Sequence, residues 1–478
     1  MKYKSLLEGR EISILNNHEL EITLRLDSEF YSKENLELDK RLKALNANKL
    51  TDYTVISDGN HMSISDYFTE KGIPYYRGGD IYNTFIEQSS NPLYIPRSVF
   101  GMKTMERSHL KKGDILMSIV GAIIGNLSLV STDNDATCSC KLAIIRPFAN
   151  LSPEYIMTFL KSEMGQSQIQ RYRRGSGQTG FILEDFDQLL IPELNDKIQY
   201  FVSSKIHEAK RMLISGIEKY NSCVSILNKE MNIHKIQKDF SNIREQKISN
   251  SLWKSGRLDA EYYNLKYDAL FKLLEEFDTK RLGDVVDIYK STEPGSDLYI
   301  TEGVPFIRVA DITKFGITQP SVYLDARFFV DVIRPKKDSI LLTKDGSVGI
   351  AYKVEKDENY ITSGAILHLQ IKDKKVLPDY LTLVLNSQFV QMQAERDAGG
   401  SIIQHWKPSE ISNVVIPILP MEMQIEISKN IQESFKLKNE SKQLLEHAKQ
   451  AVEIAISENE EKALKFIKEN EVKYEIRK

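Results

Sequence analysis

Apolar residues recur at steps of three or four along one stretch: Ile198, Val202, Ile206, Ala209, Leu213, Ile217, Tyr220, Val224, Leu227 and Met231. That spacing predicts a long helix with a single apolar stripe. A second stripe runs Met423, Ile427, Ile431, Phe435, Leu445, Ala448, Val452 and Ala455, with polar Lys438 and Ser441 interrupting its seam. Neither helix can hide its stripe alone. The expected solution is that they pack on each other, antiparallel, through Ile198, Val202, Ile206, Leu213, Ile217 and Leu227 on one side and Met423, Ile427, Ile431, Leu445 and Val452 on the other. The alternative is that each helix packs on its own globular domain. Outside these helices, short apolar runs alternate with Gly, Pro, Asn and Asp. Gly113 to Val130 reads as strand, Gly-containing turn, strand; Ser339 to Val354 repeats it around Asp345-Gly346, where glycine permits a tight turn. Pro153 and Pro378 each open a helical pattern, a place that tolerates the missing N–H.

The chain repeats itself. Arg25-Leu26-Asp27-Ser28-Glu29-Phe30-Tyr31 returns as Arg257-Leu258-Asp259-Ala260-Glu261-Tyr262-Tyr263, 232 residues later. Gly72-Ile73-Pro74-Tyr75-Tyr76-Arg77 and Asp80-Ile81 return as Gly303-Val304-Pro305-Phe306-Ile307-Arg308 and Asp311-Ile312, 231 later. From Lys111-Lys112 onward the offset is 225, shared by Pro153 and Pro378, Gly175 and Gly400, Pro192 and Pro417, and Gln199 and Gln424. Collinear order over half a chain marks a duplication. The expected layout is an N-terminal segment over 1–24 packing near the paired helices, a globular domain over 25–193, a long helix and linker over 194–250, a second globular domain over 257–418, and a C-terminal long helix over 419–478. The fold class is α+β, with two similar domains related by pseudo-twofold symmetry and separated by an antiparallel two-helix coiled coil.

Composition narrows the function. The 478 residues carry 64 Lys+Arg against 67 Asp+Glu, a net charge of −3 and a pI near 6.3. That excludes a generically basic nucleic-acid coat. Three cysteines, Cys138, Cys140 and Cys223, make no disulfide framework. Met1 to Arg10 has no apolar signal core, and no run approaches a membrane span. A soluble cytoplasmic protein is expected. Gly175-Ser176-Gly177-Gln178-Thr179-Gly180 spells G-x-G-x-x-G, but the segment before it reads as helix where a dinucleotide fingerprint needs a strand. No Walker sequence and no metal-ligand spacing are present.

Local charge is more informative. Residues 95–114 hold Arg97, Lys103, Arg107, Lys111 and Lys112 against Glu106 and Asp114, a balance of +3. Residues 326–344 hold Arg327, Arg334, Lys336, Lys337 and Lys344 against Asp331 and Asp338, again +3. Arg171, Arg173 and Arg174 lead into the loop with Gln178, and the equivalent second loop ends in His405 and Lys407. Arg and Gln suit base edges, and Lys suits phosphates. The candidate DNA-binding residues are these, without Lys112 and Lys337 and with Arg77 and Arg308 added.

Together these features resemble the specificity subunit of type I restriction–modification systems. The resemblance rests on the Arg-Leu-Asp-x-Glu-x-Tyr segments, the Pro-x-x-Arg-x-x-Asp-Ile segments, the Gly-Asp-Ile-Leu strand with its Gly turn, and the Gly-Ser-Gly loop running into Ile-Pro and a long helix. It implies two target-recognition domains, each reading half of a bipartite asymmetric site in double-stranded DNA. It implies helices that set the gap and dock two methyltransferase subunits. Two restriction and translocase subunits are further partners the family allows. The chain itself would be non-catalytic and bind no cofactor; S-adenosylmethionine, ATP and Mg belong to partner subunits. The first Gly turn, Gly121 to Gly125, departs from the family look by one residue between its glycines. Rival readings are the specificity subunit of a bifunctional system cutting both sides of its site, a coiled-coil scaffold that binds proteins, and an enzyme using the Gly-rich loop.

Overall fold

The computed structural model describes residues 13–17, 20, 26–89, 92–148, 150–175, 179–236, 245, 247–249, 251–400 and 403–475. The chain forms two compact units: Met1–Met212 with Glu440–Lys478, and Leu213–Asn439. Each unit therefore contains one globular region and a piece of both long helices. The expected N-terminal segment lies almost wholly outside the described residues.

The first unit is built on a four-stranded antiparallel sheet, in the order Thr54–Asp58, Leu142–Pro147, Ile115–Ser118, Leu127–Leu129. The second unit has the same sheet in the same order: Val286–Lys290, Ile366–Ile371, Ile340–Thr343, Ala351–Lys353. Ile115–Ser118 and Ile340–Thr343 are buried at every position. Burial on both faces explains why these strands read as unbroken apolar runs. A smaller three-stranded sheet follows in each: Leu93–Ile95, Ile73–Tyr76, Thr137–Cys138, and Tyr323–Leu324, Val304–Ile307, Ile361–Thr362. Both mix one antiparallel and one parallel pairing.

Two short helices pack beside each sheet, Pro153–Leu160 and Glu163–Tyr172 in one unit, Pro378–Leu385 and Gln388–Asp397 in the other. Both prolines sit in the first turn. The duplication extends to individual hydrogen bonds. Tyr155 Oη donates to the Pro192 carbonyl at 2.6 Å, and Tyr380 Oη to the Pro417 carbonyl at 2.9 Å. Gln168 exchanges two bonds with the Leu190 backbone, and Gln393 does the same with Val415. Gln166 Nε2 donates to the Gly125 and Leu160 carbonyls; Gln391 Nε2 donates to those of Gly349 and Leu385. Gly125 and Gly349 have φ of 89° and 86°. A Cβ on either would lie 2.9 or 2.8 Å from that same amide, so only glycine fits.

The aspartates of the two Arg-Leu-Asp segments each accept a backbone bond from three residues on. Asp27 Oδ1 accepts the Phe30 N–H at 3.1 Å, and Asp259 Oδ1 the Tyr262 N–H at 3.1 Å. The rings then meet an arginine from the second short helix. Arg171 lies 4.2 Å over Phe30, and Arg396 lies 5.1 Å over Tyr262 and 4.4 Å over Phe271. Arg171 also donates to the Phe30 carbonyl at 2.9 Å and to Asp39 at 2.6 Å, and its side chain is only 6% exposed.

The long helices are Asp196–Glu230 and Met421–Ser457. In the second unit Ser434 Oγ donates to the Gly216 carbonyl at 2.5 Å and Cys223 Sγ to the Ile427 carbonyl at 3.7 Å. Seven residues forward on one helix is seven back on the other, so these segments run antiparallel. In the first unit Ser441 Oγ donates to the Ala209 carbonyl at 2.7 Å. The 225-residue offset pairs Ala209 with Ser434 and Gly216 with Ser441, so the repeat maps one contact onto the other. The seam differs from its expected composition. Leu213, Ile217 and Leu445 are only half-buried, while Gly216, Cys223 and Leu444 are buried. Lys438 and Ser441 do not interrupt the packing; both are buried in it, with the Lys438 ammonium 3.0 Å from the Phe315 ring centroid. Small and adaptable side chains let the backbones approach, which hydrophobic periodicity alone does not register. The second helix also ends earlier than expected. A separate helix, Glu460–Glu475, follows it, and Glu460 accepts the Asn195 N–H at 2.8 Å.

Three stability outcomes are expected. A Cβ at Gly216 would stand 3.0 Å from the Ser434 carbonyl oxygen, so Gly216→Leu should destabilise the protein by about 1–3 kcal/mol in denaturant unfolding. Arg171→Ala strips two charge-assisted bonds and a ring contact, and should cost about 2 kcal/mol by the same measurement. His368, 1% exposed on a central strand and 2.7 Å from Thr362 Oγ1, is pushed by burial from 6.5 to about 4. The unfolded chain therefore takes up this proton before the fold does. The stabilisation is complete above pH 6.5 and is lost as pH falls toward 4. Between pH 7 and 5 the loss should be about 2 kcal/mol, and His368→Gln should remove that part of the slope.

Candidate nucleic-acid interface

In each unit three loops meet at one end of the sheets. Strand Ile73–Tyr76 runs into Arg77, whose N–H donates to Asp80 Oδ2 at 2.7 Å and whose Nε is 3.5 Å from that oxygen. Val304–Ile307 runs into Arg308, which holds Asp311 at 2.9 and 3.5 Å in the same way. Both aspartates are buried. They fix the start of each arginine and leave the guanidinium partly exposed; Arg308 Nη2 also donates to Ser321 Oγ at 3.0 Å. The Ser139 N–H joins the Tyr76 carbonyl and the Ser363 N–H joins the Ile307 carbonyl, each at 2.9 Å.

The Gly turn and the loop after the second short helix are stitched beside these arginines. Gly121 N–H donates to the Thr179 carbonyl and Gly346 N–H to the Gln404 carbonyl, both at 2.9 Å. Arg174 pairs with Gly180, and Gly399 with His405, through backbone bonds of 2.7 to 3.0 Å. The described ends of each loop are thus paired with each other and bonded to the turn. In the first unit the cluster also gathers Arg173, which donates to Gln170 at 2.8 Å and Thr179 at 3.0 Å. Asp58, at the same end of its strand, holds both Arg107 and His61. In the second unit Lys344 and His405 both pair with Asp345, His405 Nδ1 at 2.8 Å, and exposed Lys407 follows with Glu410 at 3.5 Å.

The remaining candidates lie elsewhere, except that Arg174 closes the loop through its backbone. Arg171 is spent inside the fold, so it is not part of a surface. Arg174 donates to the buried Asp185 at 2.5 Å. Arg97 pairs with Asp135 at 2.6 Å at the far end of its small sheet. Lys111 precedes the central strand, again at the far end, next to Lys112, which is 3.7 Å from Asp133. Lys336 pairs with Asp357 at 3.1 Å at the matching far end of the second unit. Arg327 forks onto Asp325, which pulls that carboxyl down to about 2, and Arg334 donates to the Asn359 and Phe329 carbonyls. Lys103 is exposed with no ion pair among the described residues. Gln178 lies outside the described residues. Both +3 stretches are therefore split between sheet ends and balanced by carboxylates outside them: Asp58, Asp133 and Asp135 for the first, and Asp325, Asp345 and Asp357 for the second. His61, which no motif marked, joins the cluster through Asp58. Among the described residues no group of His, Cys, Asp and Glu could hold a metal ion, and no helix is long and apolar enough to cross a membrane.

Residues 274–447 match the family described as type I restriction modification DNA specificity domain. No curated protein matches the chain. Among solved structures, the S subunit of a type I restriction–modification system from M. genitalium is 13% identical, with 88% of this chain and 95% of that chain covered and a TM-score of 0.37. The HsdS subunit from Thermoanaerobacter tengcongensis is 16% identical, with 87% and 95% covered and a TM-score of 0.27. The family match begins in the helix before the second unit's sheet, takes in the whole loop cluster around Arg308, Lys344 and His405, and ends on the second long helix. Over these residues the chain is similar to the type I restriction–modification DNA specificity family.

Proposed function

We propose that this chain is the sequence-reading subunit of a type I restriction–modification complex, and that each unit reads one half of a bipartite, asymmetric DNA site with the loop cluster at its sheet end. One observation carries the reading: the same arginine, capped by the same buried aspartate and flanked by the same two stitched loops, is built twice, the second time inside the matched family region. Rigid sheet ends hold the loops, as a base-reading surface requires. Arg77 and Arg308 suit a guanine edge or a phosphate; Arg107, Arg173, Lys344, His405 and Lys407 supply further cation density.

The paired long helices are the spacer in this reading. They form an antiparallel coiled coil about a pseudo-twofold relation, set the unread gap, and dock two methyltransferase subunits. The repeat-related contacts Ser434 to Gly216 and Ser441 to Ala209 support it. Thirty-five helical residues span about 52 Å, longer than one DNA turn of about 34 Å. The chain contributes recognition and no chemistry. S-adenosylmethionine serves the methyltransferases, and ATP and Mg the restriction subunits where these assemble. A net charge of −3 fits a subunit whose DNA affinity is completed by partners.

The test is to express the chain with its modification partner and map methylated adenines across the host genome. A bipartite motif with a fixed gap is expected; an active complex that marks no such motif contradicts the reading. Replacing residues 25–193 by those of a relative should change one half of the motif only. Inserting seven residues into both long helices adds about 10 Å, so the gap should lengthen by about three base pairs with both half-sites unchanged. In titrations of the complex on its site, Arg77→Ala and Arg308→Ala should each cost about 1–3 kcal/mol. Lys336→Ala, at the far end, should change binding by less than about 0.5 kcal/mol.

A further inference from the structure

The two loop clusters share a frame but not a chemistry. The stitch is the same: Gly121 to Thr179 and Gly346 to Gln404, each at 2.9 Å. The anchoring amide is the same, Gln166 in one unit and Gln391 in the other. What the turns present differs. The first turn is Val120-Gly121-Ala122-Ile123. Ala122 is exposed and Val120 and Ile123 are half-buried. No side chain in it can donate or accept a hydrogen bond. Ile123 Cδ1 comes within 3.3 Å of the Cβ position of Gly78, which sets this apolar tip directly beside the Arg77 cap. The second turn is Lys344-Asp345-Gly346-Ser347. Ser347 is exposed, Asp345 holds both the Lys344 ammonium and His405 Nδ1, and Gln404 and His405 line the adjoining loop. Donors and acceptors are here packed around one carboxylate.

These tips suit different base edges. In the major groove an aliphatic group meets the thymine methyl, a lysine donates to guanine O6 or N7, and a carboxylate accepts from cytosine N4. A polar tip on the wrong base leaves desolvated groups unpaired, whereas an apolar tip loses only contact area. We propose that the two units divide the site by chemistry: the Val120–Ile123 turn selects an A·T pair through its methyl group, and the Lys344–Ser347 turn with His405 selects a G·C pair through hydrogen bonds. The inference rests on the DNA-reading function proposed above and adds which turn reads which pair. The arginine caps, equivalent in both units, do not distinguish the halves. The second turn has the stricter preference, because its errors strand a charge.

The experiment uses the complex with its modification partner and genome-wide mapping of methylated adenine. Wild type is compared with Asp345→Asn, Lys344→Ala, Ala122→Ser and Ile123→Ser; Ala122 is exposed and the other three are partly buried, and unchanged thermal unfolding shows that each variant folds. Asp345→Asn and Lys344→Ala should relax a G·C position in one half of the motif, raising modification at the mismatched base about tenfold or more relative to the cognate site. Ala122→Ser and Ile123→Ser should relax an A·T position in the other half, by a smaller factor. The inference is overturned if both pairs of variants act on the same half, if the relaxed base pairs are the reverse of those named, or if no position relaxes while the bipartite motif persists. Absence of any bipartite motif from the active wild-type complex instead overturns the function on which the inference rests.

Discussion

One amide in each unit carries more of this structure than its size suggests. Gln166 and Gln391 reach from the second short helix to the carbonyl that ends the Gly turn and to the carbonyl that ends the first short helix. The turn is thereby fixed to the helical layer, and the loop that follows the same helix is joined to the turn by backbone bonds. The loop cluster is thus built from separate chain segments held together by hydrogen bonds. The requirement for glycine at Gly125 and Gly349 follows from the same bond, since any side chain there would displace the amide.

Much of this was legible in the sequence. The repeat, its offsets, the two strand–turn–strand units, the prolines opening helices and the two long apolar stripes all correspond to elements of the fold. Periodicity and turn chemistry are local signals, and these elements are locally determined. The interior of the helix seam was less legible. Lys438 and Ser441 are polar and read as breaks, and Ser434 carried no signal, yet all three pack because a hydroxyl can bond a carbonyl on the facing helix and an ammonium can rest on the Phe315 ring. Both depend on a neighbour far away in sequence.

The candidate site was legible only in part, for the same reason. Counting charge along the chain located two +3 stretches, but Asp58, Asp133, Asp135 and Asp357 come from outside them and pair with their cations. Arg171 looked like a surface cation beside Arg173 and Arg174. Its helix turns it inward onto Phe30, and Arg396 shows that the repeat uses this position structurally both times. Conversely His61 belongs to the cluster through a shared carboxylate and carried no motif. Which end of a sheet a residue falls on is decided by strand order, and charge counted along the chain does not register it.

The central claim is that DNA lies against the loop-bearing end of each sheet. Hydrogen exchange of the assembled complex, with and without its DNA site, tests it most directly. The account predicts slowed exchange on DNA binding in residues 119–125, 174–181, 343–350 and 399–407, and none in 97–103, 111–114 and 327–338. Protection confined to the second group, with the loop ends unchanged, contradicts it.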